Sequence, residues 1–429
     1  MPLAEAGVVD APAEVEAAAP GSFDVTFGDG GLLVLDMVGR AVSIDVRPSQ
    51  HLVIAGDVEG QDGGYPAVLQ TDQHGNPDVS FGDSGVVTFS ESRQAAAAAR
   101  GSLAETWMLT RPASGEDSGI GYVTHLTPNG IDDRGSFQIS PTTCPIVVPY
   151  DLAMWFTRAD IVGVCALGPP PQPSVSVLDL IVYGFGTTHG SGFRGPLTPN
   201  VDGGFRYSLA DAIGHQSAGD IIVAGVTWLD GDADGELTLV RLAHVDYDPS
   251  FGTNAVAAPA VGRARFGETA LAIAPDDAIF VAFVRTSITG QSGPDASAAE
   301  NRIAVAKLSA NGQLDTTFGA SGLALGPAAQ GTTSLGNVQR RPDGKLVVAG
   351  SLDERTDAGG PLGGNKRMFV YQFDANGSLD TAFGSDGAVY STGPRDEGRE
   401  IAITPTGKLV VAGSVEQPTA RWAVWQLNP

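Results

Sequence analysis

Short apolar runs without polar alternation recur along the chain, separated by clusters of Gly, Pro and Asp. The clearest is Leu346-Val-Val-Ala349 within KLVVAG, and matching segments are HLVIAG from His51, TWMLTR from Thr106, DIVGVCALG from Asp160, DIIVAG from Asp220, AIFVAF from Ala278 and KLVVAG from Lys408. A strand with one wet face alternates in polarity, so these runs predict strands buried on both faces. A second strand-like segment follows each after a loop: YPAVLQTD from Tyr65, GYVTHLT from Gly121, VLDLIVYG from Val177, LTLVRLAH from Leu237, IAVAKLS from Ile303, FVYQFD from Phe369 and WAVWQLN from Trp422. Both sets have seven members.

A turn element completes the repeat. Asp-x-x-Phe-Gly stands at Asp24/Phe27/Gly28, Asp78/Phe81/Gly82, Asp248/Phe251/Gly252, Asp315/Phe318/Gly319 and Asp380/Phe383/Gly384, and it is missing from the third and fourth copies. Asp accepts main-chain N–H groups, Phe fills the space beneath the turn, and Gly takes a conformation closed to side chains, so an element used five times is structural. Its spacing runs from 54 residues (Phe27 to Phe81) to 67 (Phe251 to Phe318), room for four strands. Each unit then reads as an inner strand (Arg399–Thr404), the apolar second strand, a third strand, and an outer strand after the turn (Ala388–Thr392). In that phase the chain opens on an outer strand, Leu32–Asp36, and closes on a third strand, Trp422–Asn428.

The expected fold is therefore all-β, a seven-bladed β-propeller of four-stranded antiparallel blades, closed by the N-terminal strand completing the last blade. A linear β-solenoid is the alternative, and its usual coils are too short for this spacing. Residues 1–20 read as a disordered Ala/Glu/Pro tether and 21–429 as the single propeller.

These residues resemble the delta-60 repeat family, uncharacterised β-propeller repeats of secreted and lipid-anchored proteins in myxobacteria and their relatives. The resemblance rests on G-x-L-D-x-x-F-G-x-x-G followed by P-D-G-K-[LI]-V-V-A-G, strongest over residues 313–429 and weakest over 131–200. It implies a fold and an exported location, and it brings no activity or catalytic residues.

Composition agrees with many short strands: 57 Gly and 28 Pro supply turns, while 42% apolar residues supply a core. The net charge of −24 repels phosphate backbones and anionic lipid, which argues against nucleic acid or a membrane surface as partner. No apolar stretch is long enough for a membrane helix, so no insertion by this chain is expected, and a monomer is. Residues 1–20 lack a signal-peptide pattern; the tether composition suits a stem left after removal of an export signal or lipid anchor, in the periplasm, on the outer membrane or outside the cell. Cys144 and Cys165 are either one disulfide or two free thiols.

One loop carries candidate chemistry. Asp230, Asp232, Asp234 and Glu236 lie in DGDADGE, and alternating carboxylates before a Gly match the start of a Ca²⁺ loop. Position twelve is Arg241, which excludes an ordinary EF-hand, so a shorter Ca²⁺ loop and a plain acidic turn both stand. The six histidines show no zinc spacing, and neither a phosphate loop nor a G-x-S-x-G elbow occurs. Inner-strand residues facing the axis include Arg40, Arg100, Asp151, Asp211, Glu268, Arg340, Arg399 and Glu400, either holding a ligand or neutralising one another. The loops Arg285–Asn301 and Ser351–Lys366 are polar and Gly-rich, suited to recognition or to nothing. Three function classes follow: a non-enzymatic scaffold binding a protein or glycan partner, a lactonase, lyase or glycosidase acting at the central funnel, and a structural spacer in an envelope assembly.

Overall fold

The computed structural model describes residues 18–60, 63–89, 93–98, 105–112, 121–130, 132–139, 146–155, 158–166, 179–185, 190–195, 206–229, 232, 234–243, 246–286, 301–328, 331–354, 365–416 and 418–429. Among them the chain is all-β, with no helix. Cys144, most of the tether and most of the two long loops lie outside the described residues.

The strands follow one another as antiparallel meanders. The first is β1 (Leu32–Val46), β2 (Leu52–Gly60), β3 (Gly63–Thr71) and β4 (Val86–Thr88). Next come β5 (Arg93–Ala98), β6 (Thr106–Pro112), β7 (Gly121–Leu126) and β8 (Asp132–Ile139), then β9 (Ile146–Trp155), β10 (Arg158–Ala166), β11 (Asp179–Phe185) and β12 (Gly190–Gly195). β13 (Arg206–His215), β14 (Ile221–Leu229) and β15 (Gly235–Ala243) are finished by two short segments that both pair with β15, β16 (Asp246–Tyr247) and β17 (Val256–Ala257). The remaining units are β18 (Arg263–Ile273), β19 (Ile279–Thr286), β20 (Arg302–Leu308) and β21 (Leu323–Leu325); β22 (Gly331–Arg340), β23 (Leu346–Glu354), β24 (Lys366–Phe373) and β25 (Ala388–Tyr390); and β26 (Asp396–Ile403), β27 (Leu409–Glu416) and β28 (Ala420–Leu427).

The last unit takes its fourth strand from the start of the chain. Leu32, Leu33 and Val34 of β1 pair with Trp425, Val424 and Ala423 of β28, and Gly39–Val46 of the same strand then pairs with β2. The sequence suggests a short outer strand, Leu32–Asp36; instead one continuous strand serves two units. Gly39 allows the change of partner: its φ is +137°, and a Cβ there would lie 1.9 Å from the Asp57 carbonyl oxygen.

The core lies between units. In β23, Val347 and Ala349 pack with Val411 and Trp425 of one neighbour, whereas Leu346 and Val348 pack with Phe280 and Val305 of the other. β14 divides in the same way, Ile221 and Val223 toward Val162, Ile222 and Ala224 toward Val281. Both faces of β14 and β23 are therefore buried, which is why these strands read as unbroken apolar runs. Burying each such side chain is worth about 1.5–3 kcal/mol.

The Asp-x-x-Phe-Gly turns lock neighbours together. Phe27, Phe81, Phe251, Phe318 and Phe383 are all buried. The glycine after each has positive φ, and in four of the five its N–H donates across the interface: Gly82 to the Asn129 carbonyl, Gly252 to Asn311, Gly319 to Asn376 and Gly384 to Pro20, at 2.7–3.0 Å. At Gly319 an added Cβ would sit 2.0 Å from the Leu323 carbonyl oxygen, so no other residue fits.

Candidate functional site

The first strands of successive units lie against one another: β1 touches β5, β5 touches β9, and the order continues through β13, β18, β22 and β26, which touches β1. All seven bulge. An extra residue interrupts the pairing at Val42, Ala96, Tyr150, Asp211, Gly336 and Arg399, and in β18 the four residues Arg265–Glu268 stand opposite Val284 alone. A bulge turns a side chain out of the ladder, and Asp211 and Glu268 reach the next first strand in this way.

The carboxylates at these bulges are tied to main chain. Asp151 Oδ2 accepts the Ile213 N–H at 3.1 Å, Asp211 accepts the Thr269 N–H at 3.2 Å together with the Thr269 hydroxyl, and Glu268 accepts the Leu335 N–H. Asn337 Nδ2 donates to Glu400 Oε1 at 3.0 Å. Arg265 reaches the Thr333 carbonyl at 2.7 Å, and Phe266 stacks on Trp228 with ring centroids 4.2 Å apart. Glu397 is paired with Lys366 at 3.1 Å and with Arg399.

Burial sets the protonation of this cluster. It pushes Asp211 well above the carboxylate range, against the Thr269 N–H and with help from the charge of Glu268. It pushes Glu268 up to about 6, although the Leu335 N–H and the guanidinium groups of Arg265 and Arg399 oppose the shift. Glu397 is buried as well, yet Arg399 and Lys366 hold it below the ordinary range.

At the far ends of three first strands a cleft of about 570 Å³ opens between Asp45, Gln339, Arg340 and Thr404, rimmed by Pro48, Pro342 and Pro405. Asp45 Oδ1 accepts the Val46 N–H at 2.9 Å, and Thr404 bonds Thr406 and the Lys408 N–H. The side chains of Gln339 and Arg340 make no hydrogen bond or ion pair among the described residues.

Of the axial residues expected from sequence, Arg340 lines this cleft, Asp151, Asp211, Glu268, Arg399 and Glu400 belong to the bulge cluster, Arg40 lies near Glu397, and Arg100 is outside the described residues. The acidic loop is described in part. Asp230 is outside the described residues; Asp232 and Asp234 both bind Arg263, at 2.9 and 2.7 Å, and Thr286 donates to Asp234 at 2.6 Å, while Glu236 is exposed. Sequence reasoning missed a buried pair, His215 Nε2 with Asp160 Oδ2 at 2.8 Å. Its signal was an Asp inside the apolar run from Asp160, at a register position filled elsewhere by Val53, Val347 or Val410.

Comparison with known proteins bears on the fold. A family model described as a domain of unknown function (DUF5122) beta-propeller matches residues 292–318 and 341–383. No curated protein matches the chain. Among solved structures, the polysaccharide lyase Uly1 is 10% identical over 94% of this chain and 92% of its own, with TM-score 0.49. Sqt1 of Chaetomium thermophilum is 12% identical over 91% of this chain and 95% of its own, with TM-score 0.47. A prolyl endopeptidase is 12% identical over 90% of this chain, with TM-score 0.47, and the chain spans only 47% of its length. The chain carries β-propeller repeats.

Proposed function

We propose that the chain is an exported binding scaffold, a closed ring of seven blades that recognises a protein or glycan partner at the bacterial cell surface or in the periplasm, without turning it over. The ring is supported by the cyclic order of contacts between first strands and by the pairing of β1 with β28. The binding role rests chiefly on one observation: Asp151, Asp211 and Glu268, the carboxylates at the axial bulges, are spent on main-chain N–H groups of the next blade. A glycosidase needs two carboxyl groups free to face a substrate.

Immobilised protein incubated with native cell-envelope extract tests the proposal. Retention of a defined protein or glycan, recovered unaltered, is expected; a wild-type resin that retains nothing beyond a denatured control overturns it.

A funnel enzyme of lactonase, lyase or glycosidase type is the second reading, favoured by the raised carboxyl groups of Glu268 and Asp211. A carboxylic acid poised near neutrality is suited to proton donation. Cleavage of envelope polysaccharide by the wild type, lost in Glu268→Gln, would favour this reading over the scaffold.

A further inference from the structure

We propose that the cleft between Asp45, Gln339, Arg340 and Thr404 is a saccharide site that selects a uronic acid, a sugar bearing one carboxylate, through the guanidinium of Arg340. The proposal rests on the binding reading above and narrows it to a glycan of stated charge.

The guanidinium of Arg340 is uncommitted among the described residues. Arg241 is fixed by Asp248, Arg263 by Asp232 and Asp234, Arg395 by Glu416, and Arg265 by a main-chain carbonyl. Arg340 has neither hydrogen bond nor ion pair among the described residues, in a chain of net charge −24 that offers carboxylates in excess. A guanidinium left open on a cleft wall is preset for a bidentate carboxylate.

The rest of the cleft suits a sugar ring. The Gln339 amide, which has no hydrogen-bond partner among the described residues, offers donors and an acceptor to hydroxyl groups, and Asp45 adds a further acceptor. Pro48, Pro342 and Pro405 give rigid aliphatic faces for the C–H face of a pyranose. The volume of about 570 Å³ lies within the ~300–1,000 Å³ typical of small-molecule sites.

The pair Gln339–Arg340 is not part of the repeat. At the register position of Arg340 other first strands carry Val46, His215, Ile273 and Ile403, and at that of Gln339 they carry Asp45, Gly214, Ala272 and Ala402. Residues kept for blade packing would recur. The acidic surface also sets the ligand's charge: it repels dense polyanions, whereas one carboxylate can be met locally, because screening limits the wider field to roughly 8 Å at physiological ionic strength.

Isothermal titration calorimetry of the full chain with sodium glucuronate, and with glucose as its neutral twin, tests the proposal. Glucuronate should bind saturably and at least tenfold more tightly than glucose; Arg340→Gln should abolish the preference, and Arg340→Lys should restore part of it. Since Arg340 makes no hydrogen bond or ion pair among the described residues, Arg340→Gln should melt with the wild type, which keeps a loss of binding interpretable. Equal affinity for the two sugars, no saturable heat with glucuronate, or unchanged glucuronate binding by Arg340→Gln overturns the proposal. If an envelope ligand is retained while glucuronate is not, the site assignment fails and the scaffold reading stands; if glucuronides bind at Arg340 and are cleaved, the assignment stands and the scaffold reading fails.

Discussion

Lys408 and Asp24, 384 positions apart, form the ion pair that Lys345 and Asp380 form at a separation of 35. In both the ammonium comes from the residue before the second strand and the carboxylate from the Asp-x-x-Phe-Gly turn. His51 holds that position against Asp78 at 3.7 Å. Where the position is Asp220 or Ala278, the cation moves to the third strand, as Arg241 against Asp248 and Lys307 against Asp315. Gln70 and Gln372 occupy that third-strand site when His51 or Lys345 holds the other, and each also donates to the turn Asp. Asp24, Asp248, Asp315 and Asp380 thus each have one cationic partner drawn from two interchangeable places, and Asp78 has the His51 ring at the first of them.

Asp24→Asn should destabilise the chain by about 1–3 kcal/mol, the usual cost of stripping a buried hydrogen-bonded charge of its partner. The Asp24 side chain is 6% exposed. Urea unfolding measures it, with Asp36→Asn as the control: Asp36 pairs with Arg421 but is 96% exposed, so no measurable change is expected.

Lys307→Gln removes the cation of Asp315 and should cost about 1 kcal/mol. Adding Ala278→Lys supplies it from the alternative place and should recover at least half of the loss. Lack of recovery in the double variant would show that the two positions are not exchangeable.

Acidification should act on two sets of carboxyl groups with opposite sign. The turn aspartates are held below the ordinary range, Asp315 at about 2 by its hydrogen bonds from Lys307 and Thr317, so their stabilisation is complete above an unfolded value of about 3.9 and lost as pH falls toward 2. Glu268, pushed by burial to about 6, binds its proton more tightly when folded; that stabilisation is present below about 4.3 and lost as pH rises through 6. Melting temperature against pH should therefore decline as pH rises through about 6, and Glu268→Gln should make that decline shallower, the raised Asp211 carboxyl supplying the remainder, while leaving the acid limb intact.

A calcium loop at Asp230–Glu236 requires a higher melting temperature in Ca²⁺ than in chelator. Arg263 competes for Asp232 and Asp234, so Arg263→Ala should enlarge the shift. Coincident melting curves in both proteins remove calcium from the account.

Much of the strand order was legible because burial between blades leaves a compositional trace. Leu346–Ala349 and its counterparts lie in the second strands, and the phase of the repeat placed Leu32 beside the final strand, where it pairs with Trp425. Strands β8 and β12 form although their units lack the Phe-Gly turn, so the ladder does not depend on that motif. The bulges were not legible: an extra residue such as Asp211 changes no apolar pattern, and three surplus residues before Thr269 look like any strand start. Nor was the partner of Asp232 and Asp234, since Arg263 lies in the next unit and pairs with them through register rather than proximity in sequence. The cleft escaped for the same reason, as its walls come from three strands far apart along the chain.

The double duty of β1 bears on how the molecule is made. Leu32–Val34 leaves the ribosome long before its hydrogen-bonding partner, Ala423–Trp425, is synthesised, so that strand edge waits unpaired while the strands between them are made. Such remote pairing slows assembly and leaves a sticky nascent chain in need of shielding. A circular permutant joining β28 directly to β1 would make the same contact local, and should fold faster to the same end state.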